Sequence, residues 1–241
     1  MPSANENHVL ALLKIPFLRV VSTYLWFFAI PAMFVIFVLL VLRMDFSTAR
    51  MAFTQHKYLI MLIELLTVGF LPMVISLICR DSPDRYGFLK KGVGLSLLLS
   101  SAFVVLVFVY QYLTTGNPLN SAVPDQLYAF PWNIALGVAG ILIYGPLEAF
   151  FVLWLIVNTD QIFRVEDWLL SPGLVITAAL FGGLHIVTTQ SVVTAIWVAV
   201  IFFCLGLIFK YTKNSVGPIL AWTLINGQVW YYLLLIFQVI A

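Results

Sequence analysis

Apolar residues fall in seven long blocks along this chain, about 17–42, 58–79, 94–113, 133–158, 171–190, 191–210 and 216–240. Within each block they run on without alternating in polarity, which favours helices over half-buried strands. A helix crosses a ~30 Å hydrocarbon core in roughly 20 residues. Only helices and closed barrels satisfy every backbone group in lipid, and the alternation of a barrel strand is missing here. The pattern therefore predicts an all-α fold, a polytopic transmembrane helix bundle of seven to eight spans forming a single membrane domain. Residues 1–16 read as a polar tail, 17–130 as three N-terminal spans, and 131–241 as four spans.

Polar punctuation separates the blocks. Pro31 lies inside the first, where membrane helices tolerate proline. The second and third are joined by the charged turn Arg80-Asp81-Ser82-Pro83-Asp84-Arg85 and the basic pair Lys90-Lys91. Ser171-Pro172 reads as an N-cap followed by a first-turn proline, and Asn214-Ser215-Val216-Gly217-Pro218 reads the same way for the last helix.

Composition agrees with the pattern. The chain is 63% hydrophobic and 9% charged, against about half and a quarter in soluble domains. The net charge of +2 argues against a nucleic-acid partner. Cys79 and Cys204 sit at the end and in the middle of apolar runs and read as packing residues. The first apolar run is too long for a signal-peptide core and is expected to stay as an anchor. With the N-terminus inside, the inner segments hold nine Lys and Arg residues and the outer ones three, Arg43, Arg50 and Lys57. The charge bias thus predicts N-inside and, for seven spans, C-outside, in the cell (cytoplasmic) membrane.

Three polar residues interrupt the apolar blocks deeply enough to suggest chemistry: Glu148, His185 and Asn226. An ionisable residue at such depth is expensive and calls for a partner. At 1.5 Å per residue they lie about 15, 21 and 15 Å along their helices, near the midplane of a ~30 Å core. Glu148 is expected to face His185 across two antiparallel neighbours. Pro146 cannot donate to Leu142, so a kink that frees a carbonyl is expected just before Glu148. Gly182 and Gly183 would let another backbone approach beside His185. Each residue alone is also read as an ordinary interhelical hydrogen bond. Their agreement in depth carries the site. Glu64, in the second block, reads as snorkelling or facing the bundle.

A carboxylate and an imidazole together can hold a water and take its proton, and an asparagine amide can donate to an oxyanion. Hydrolysis of an amide in or beside the membrane follows. A metal is less expected, because catalytic zinc wants three protein ligands and His-Glu-x-x-His is absent; the other histidines, His8 and His56, fall outside the spans. No cofactor is implied. A small transporter using Glu148 and Glu64 as proton carriers has little support, since no pair of interrupted helices repeats between the halves of the chain.

At these residues, over roughly 130–235, the chain resembles the CPBP family, which includes type II CAAX prenyl endopeptidases and bacteriocin-processing or immunity proteins. Phe181-x-x-x-His185 matches its second motif, preceded by Ser171-Pro172. Glu148 matches the first glutamate of Glu-Glu-x-x-x-Arg, while Ala149 and Leu153 replace the second glutamate and the arginine. Asn226 takes the asparagine position of the third motif, and Trp222 replaces its histidine. The resemblance implies that Glu148 and His185 activate water and that Asn226, with the indole N–H of Trp222, serves the oxyanion or positions it. It implies an intramembrane endopeptidase, CAAX-type processing being one form, with a membrane peptide or lipidated protein as substrate. The alternative is a non-catalytic scaffold, chaperone or immunity protein that binds a partner helix in the same cavity.

Overall fold

A computed structural model describes residues 11–45, 48, 57–119, 124, 128–189 and 191–238. His8, His56 and most of the expected tail lie outside the described residues. The described residues are helical, with no strand among them. They form two compact units, Met1–Arg80 and Asp81–Ala241.

In the first unit, α1 (Pro16–Ile36) continues through a π turn, Phe37–Val41. Helices α2 (Lys57–Glu64) and α3 (Leu71–Ile78) are joined by another, Leu65–Phe70. The Trp26 indole N–H donates to Leu66 O at 2.7 Å, and Trp26 stacks on Phe70. Pro31 is accommodated within α1. Glu64 ends α2 half-buried.

The second unit holds α4 (Val93–Thr115), α5 (Trp132–Leu142), a π turn at Ile143–Leu147, α6 (Glu148–Phe163), α7 (Pro172–Thr189), α8 (Val192–Thr212), α9 (Val216–Ile225) and α10 (Gly227–Ile236). Helix α7 packs between α6 and α8, α9 lies on α4 and the π turn, and α10 lies on α5. Glycines permit the closest approaches. A Cβ on Gly145 would sit 2.8 Å from the Thr223 side chain, and one on Gly182 would sit 2.7 Å from Ala195 O. Gly183, expected to share that role, faces open space.

Among the described residues, five helices are long and apolar enough to cross a membrane: Pro16–Val41, Tyr58–Ile78, Val93–Thr115, Trp132–Phe163 and Val192–Thr212. The pair α9–α10, bent by 71°, makes a sixth if it counts as one span. The 171–190 block forms a shorter apolar helix, Pro172–Ile186 by this criterion. The expected kink at Pro146 takes the form of a π turn inside the 32-residue helix Trp132–Phe163.

One end of this unit is tied by polar side chains. Asp160 and Lys210, both buried, form an ion pair at 2.6 Å. Asp160 also accepts the Gly173 N–H at 2.8 Å, and Lys210 donates to Glu166 O at 2.6 Å. Arg85 donates to Asn158, to Gln161 and to Asp81. Asn214 Nδ2 donates to Leu89 O at 2.6 Å. The Ser171 cap is realised, its Oγ accepting the Leu174 N–H at 3.3 Å. At α9 the expected capping stretch acts through Asn214, whose Oδ1 accepts the Val216 N–H at 3.0 Å, while Ser215 makes no side-chain cap bond. Asn214 therefore both starts α9 and ties it to the 89–91 turn.

Candidate functional site

The ion pair fixes a reference level from which depth can be counted. Glu148 lies 12 residues before Asp160 on α6, and His185 lies 12 residues after Gly173 on α7. Both therefore rise about 18 Å from the same tie. Asn226 lies ten residues beyond Val216, the start of α9, about 15 Å along. Of the three, Glu148 and Asn226 are brought into direct contact.

Glu148 is 4% exposed, a burial at which a carboxylate needs donors. Two come from the α9–α10 region. The Trp222 indole N–H donates to Glu148 Oε2 at 3.0 Å, and Asn226 Nδ2 donates to the same oxygen at 3.0 Å. Two donors on one atom fix its position.

Asn226 reaches Glu148 because the helix ends there. Its backbone is extended, φ −71° and ψ 115°, between two helices that meet at 71°. Its Oδ1 caps α10 by accepting the Gln228 N–H at 2.9 Å, which leaves the amide nitrogen turned inward. That nitrogen also donates to Tyr144 O, in the π turn, at 2.8 Å. The 216–240 block is therefore not one straight helix.

His185 is half-buried on α7. Its Nδ1 lies 2.9 Å from Phe181 O, one turn back. A protonated Nδ1 donates there, and in the neutral ring this leaves Nε2 as the acceptor nitrogen. An unbroken run of rings links His185 to the carboxylate's donor: His185 to Phe181 at 5.3 Å, Phe181 to Phe202 at 4.7 Å, and Phe202 to Trp222 at 4.2 Å between centroids. Phe181 is buried and also contacts Phe151 of α6. The motif phenylalanine thus packs against both the imidazole and the ring that touches Trp222.

Ala149 and Leu153, at the positions where the resembling motif carries glutamate and arginine, are both 3% exposed. Replacing both members of a buried ion pair by apolar residues can be neutral, whereas losing one strands a charge. The two substitutions are compatible as a pair.

Lys210 is one of the nine inner-edge charges of the sequence pattern, which carries no sign of its pairing with Asp160. The helix break is also absent from the expected blocks, although Asn226-Gly227 is a turn dipeptide. Among the described residues no group of three or more His, Cys, Asp or Glu is placed to hold a metal ion. No protein-family model, no curated protein and no solved structure matches this chain.

Proposed function

We propose that this chain is an intramembrane endopeptidase-like hydrolase of the glutamate type, related to the CPBP family. The observation that supports this best is the buried Glu148 carboxylate, held on one oxygen by Trp222 and Asn226. In this reading Glu148 is the general base for a water molecule. His185, with Nδ1 turned to Phe181 O, presents Nε2 as its partner. Water attacks the peptide carbonyl while its proton moves to Glu148 and charge passes to the carbonyl oxygen; collapse of that adduct breaks the C–N bond as Glu148 returns the proton to the departing amine, regenerating the carboxylate. Trp222 and Asn226 hold that charge in the resting state, and loss of charge from Glu148 frees their N–H groups to follow it. The substrate class is a membrane peptide or a lipidated protein tail; nothing in these residues selects a prenyl group.

Seven spans belong to this proposal. Asp160 ties together Gly173, at the start of α7, and Lys210, near the end of the span-length helix α8. The two helices are joined at residues 190–191, so α7 has to return through the thickness that α8 covers. The charge bias, nine Lys and Arg residues against three, supports reading the N-terminus as inside and the membrane as the cell membrane.

A second reading has one observation in its favour. Both N–H groups of Asn226 and the single N–H of Trp222 are engaged within the protein. A node closed in this way suits a non-catalytic scaffold, chaperone or immunity protein that grips a partner helix. Incubating the purified protein in lipid with a membrane-peptide library separates the two. Cleavage that disappears in Glu148→Ala and His185→Ala and survives EDTA supports the hydrolase. Partner capture without cleavage supports the scaffold.

A further inference from the structure

The Asn226 side chain is fully engaged. One nitrogen serves Tyr144 O and Glu148 Oε2, and Oδ1 accepts from Gln228. An amide has two N–H donors, and both are used. Turning it end for end would set its oxygen against a carbonyl and a carboxylate. The Tyr144 carbonyl therefore helps to decide which edge of Asn226 faces Glu148.

That carbonyl lies in the π turn. In an α-helical ladder Tyr144 O would take the Glu148 N–H, four residues on. Here the Glu148 N–H goes to Ile143 O, five residues back, and to Gly145 O. Pro146, inside the turn, has no N–H to give. Gly145 lets α9 close on the turn at Thr223, three residues before Asn226. Such π turns occur often at functional sites.

We propose that the π turn Ile143–Leu147 is a positioning element for Glu148. Its Tyr144 carbonyl orients Asn226, and Asn226 then holds the carboxylate oxygen in place. Tyr144 and Pro146 are positioning residues that touch no substrate. The proposal rests on the hydrolase reading only for its effect on turnover.

The test needs no turnover. Glutamate labelled with carbon-13 in the side chain is introduced into the full chain in nanodiscs. Infrared difference against Glu148→Gln then isolates the Glu148 band. Asn226→Leu is expected to displace the band from its wild-type position. Pro146→Ala, which allows the α-helical ladder to re-form, is expected to displace it in the same direction. Tyr144→Phe, which keeps the carbonyl, is expected to leave it in place. Should Pro146→Ala fold poorly, Gly145→Ala, which pushes the turn away from Thr223, decides the matter by the same readout. A band that moves in Asn226→Leu but not when the turn is altered overturns the proposal, as does one that moves in none of them. Bands that move as expected in a wild type that cleaves nothing uphold the positioning role and remove the hydrolase reading alone.

Discussion

Helix α6 carries two buried carboxylates, and the protein treats them differently. Asp160, 1% exposed, is paired with Lys210 and accepts a backbone N–H from the start of the next helix. Glu148, 12 residues earlier and 4% exposed, takes two neutral N–H donors, an indole and an amide, on one oxygen. An acid paired with a lysine and bonded to the backbone is a fixed structural tie. Glu148 takes its indole and amide donors from the α9–α10 break, away from the Asp160–Lys210 tie. The comparison teaches that burial alone does not set the two acids apart. The nature of the partner does.

A second pair makes the same point. The π turn Leu65–Phe70 offers Leu66 O to the Trp26 indole, and the π turn Ile143–Leu147 offers Tyr144 O to Asn226. In the first the donor stops at a carbonyl. In the second the same nitrogen goes on to a carboxylate.

The contrast between the two acids can be broken one side at a time. Asp160→Ala leaves Lys210 buried without its counter-ion and is expected to destabilise by about 3–5 kcal/mol, read as thermal unfolding in detergent. Asp160→Ala with Lys210→Met should recover most of that loss, since both charges are then gone. Asn226→Ala removes a hydrogen bond to a carboxylate, another to a carbonyl and a helix cap, with an expected loss of about 2–3 kcal/mol. Trp222→Phe keeps a ring against Phe202 and removes one donor, with an expected loss of about 1–2 kcal/mol. Glu148→Gln keeps an oxygen for both donors and is expected to cost less than about 1 kcal/mol. If Glu148→Gln proved as damaging as Asp160→Ala in the same unfolding measurement, the two acids would be doing the same structural job.

Much of this was legible in the chain. Continuous apolar blocks marked the helices, because a helix buried in lipid has no polar face to reveal its period. Glu148, His185 and Asn226 read as a group because depth is additive along a helix, and equal depths survive any rotation about the axis; Trp222 entered only through the motif it departs from. Rotation itself was not legible, so which side chains touch came only from the structure. The Asp160–Lys210 pair was hidden for that reason: each residue sits near a block's polar end, where charges are ordinarily solvated. The break at Asn226 carried a signal in Asn226-Gly227, masked by the apolar residues on both sides. The π turn was half legible, since Pro146 announces a disturbed ladder but not whether the chain bends or inserts a residue.

The central claim is that Glu148 is the working carboxylate of this membrane unit and Asp160 is not. Its most direct test is peptide cleavage in lipid vesicles by wild type and by Glu148→Gln at matched folded concentration. The account predicts that wild type cleaves and that the variant loses activity by a factor on the order of 10²–10⁴, the range for removing a general base. Equal cleavage by the two proteins would contradict it.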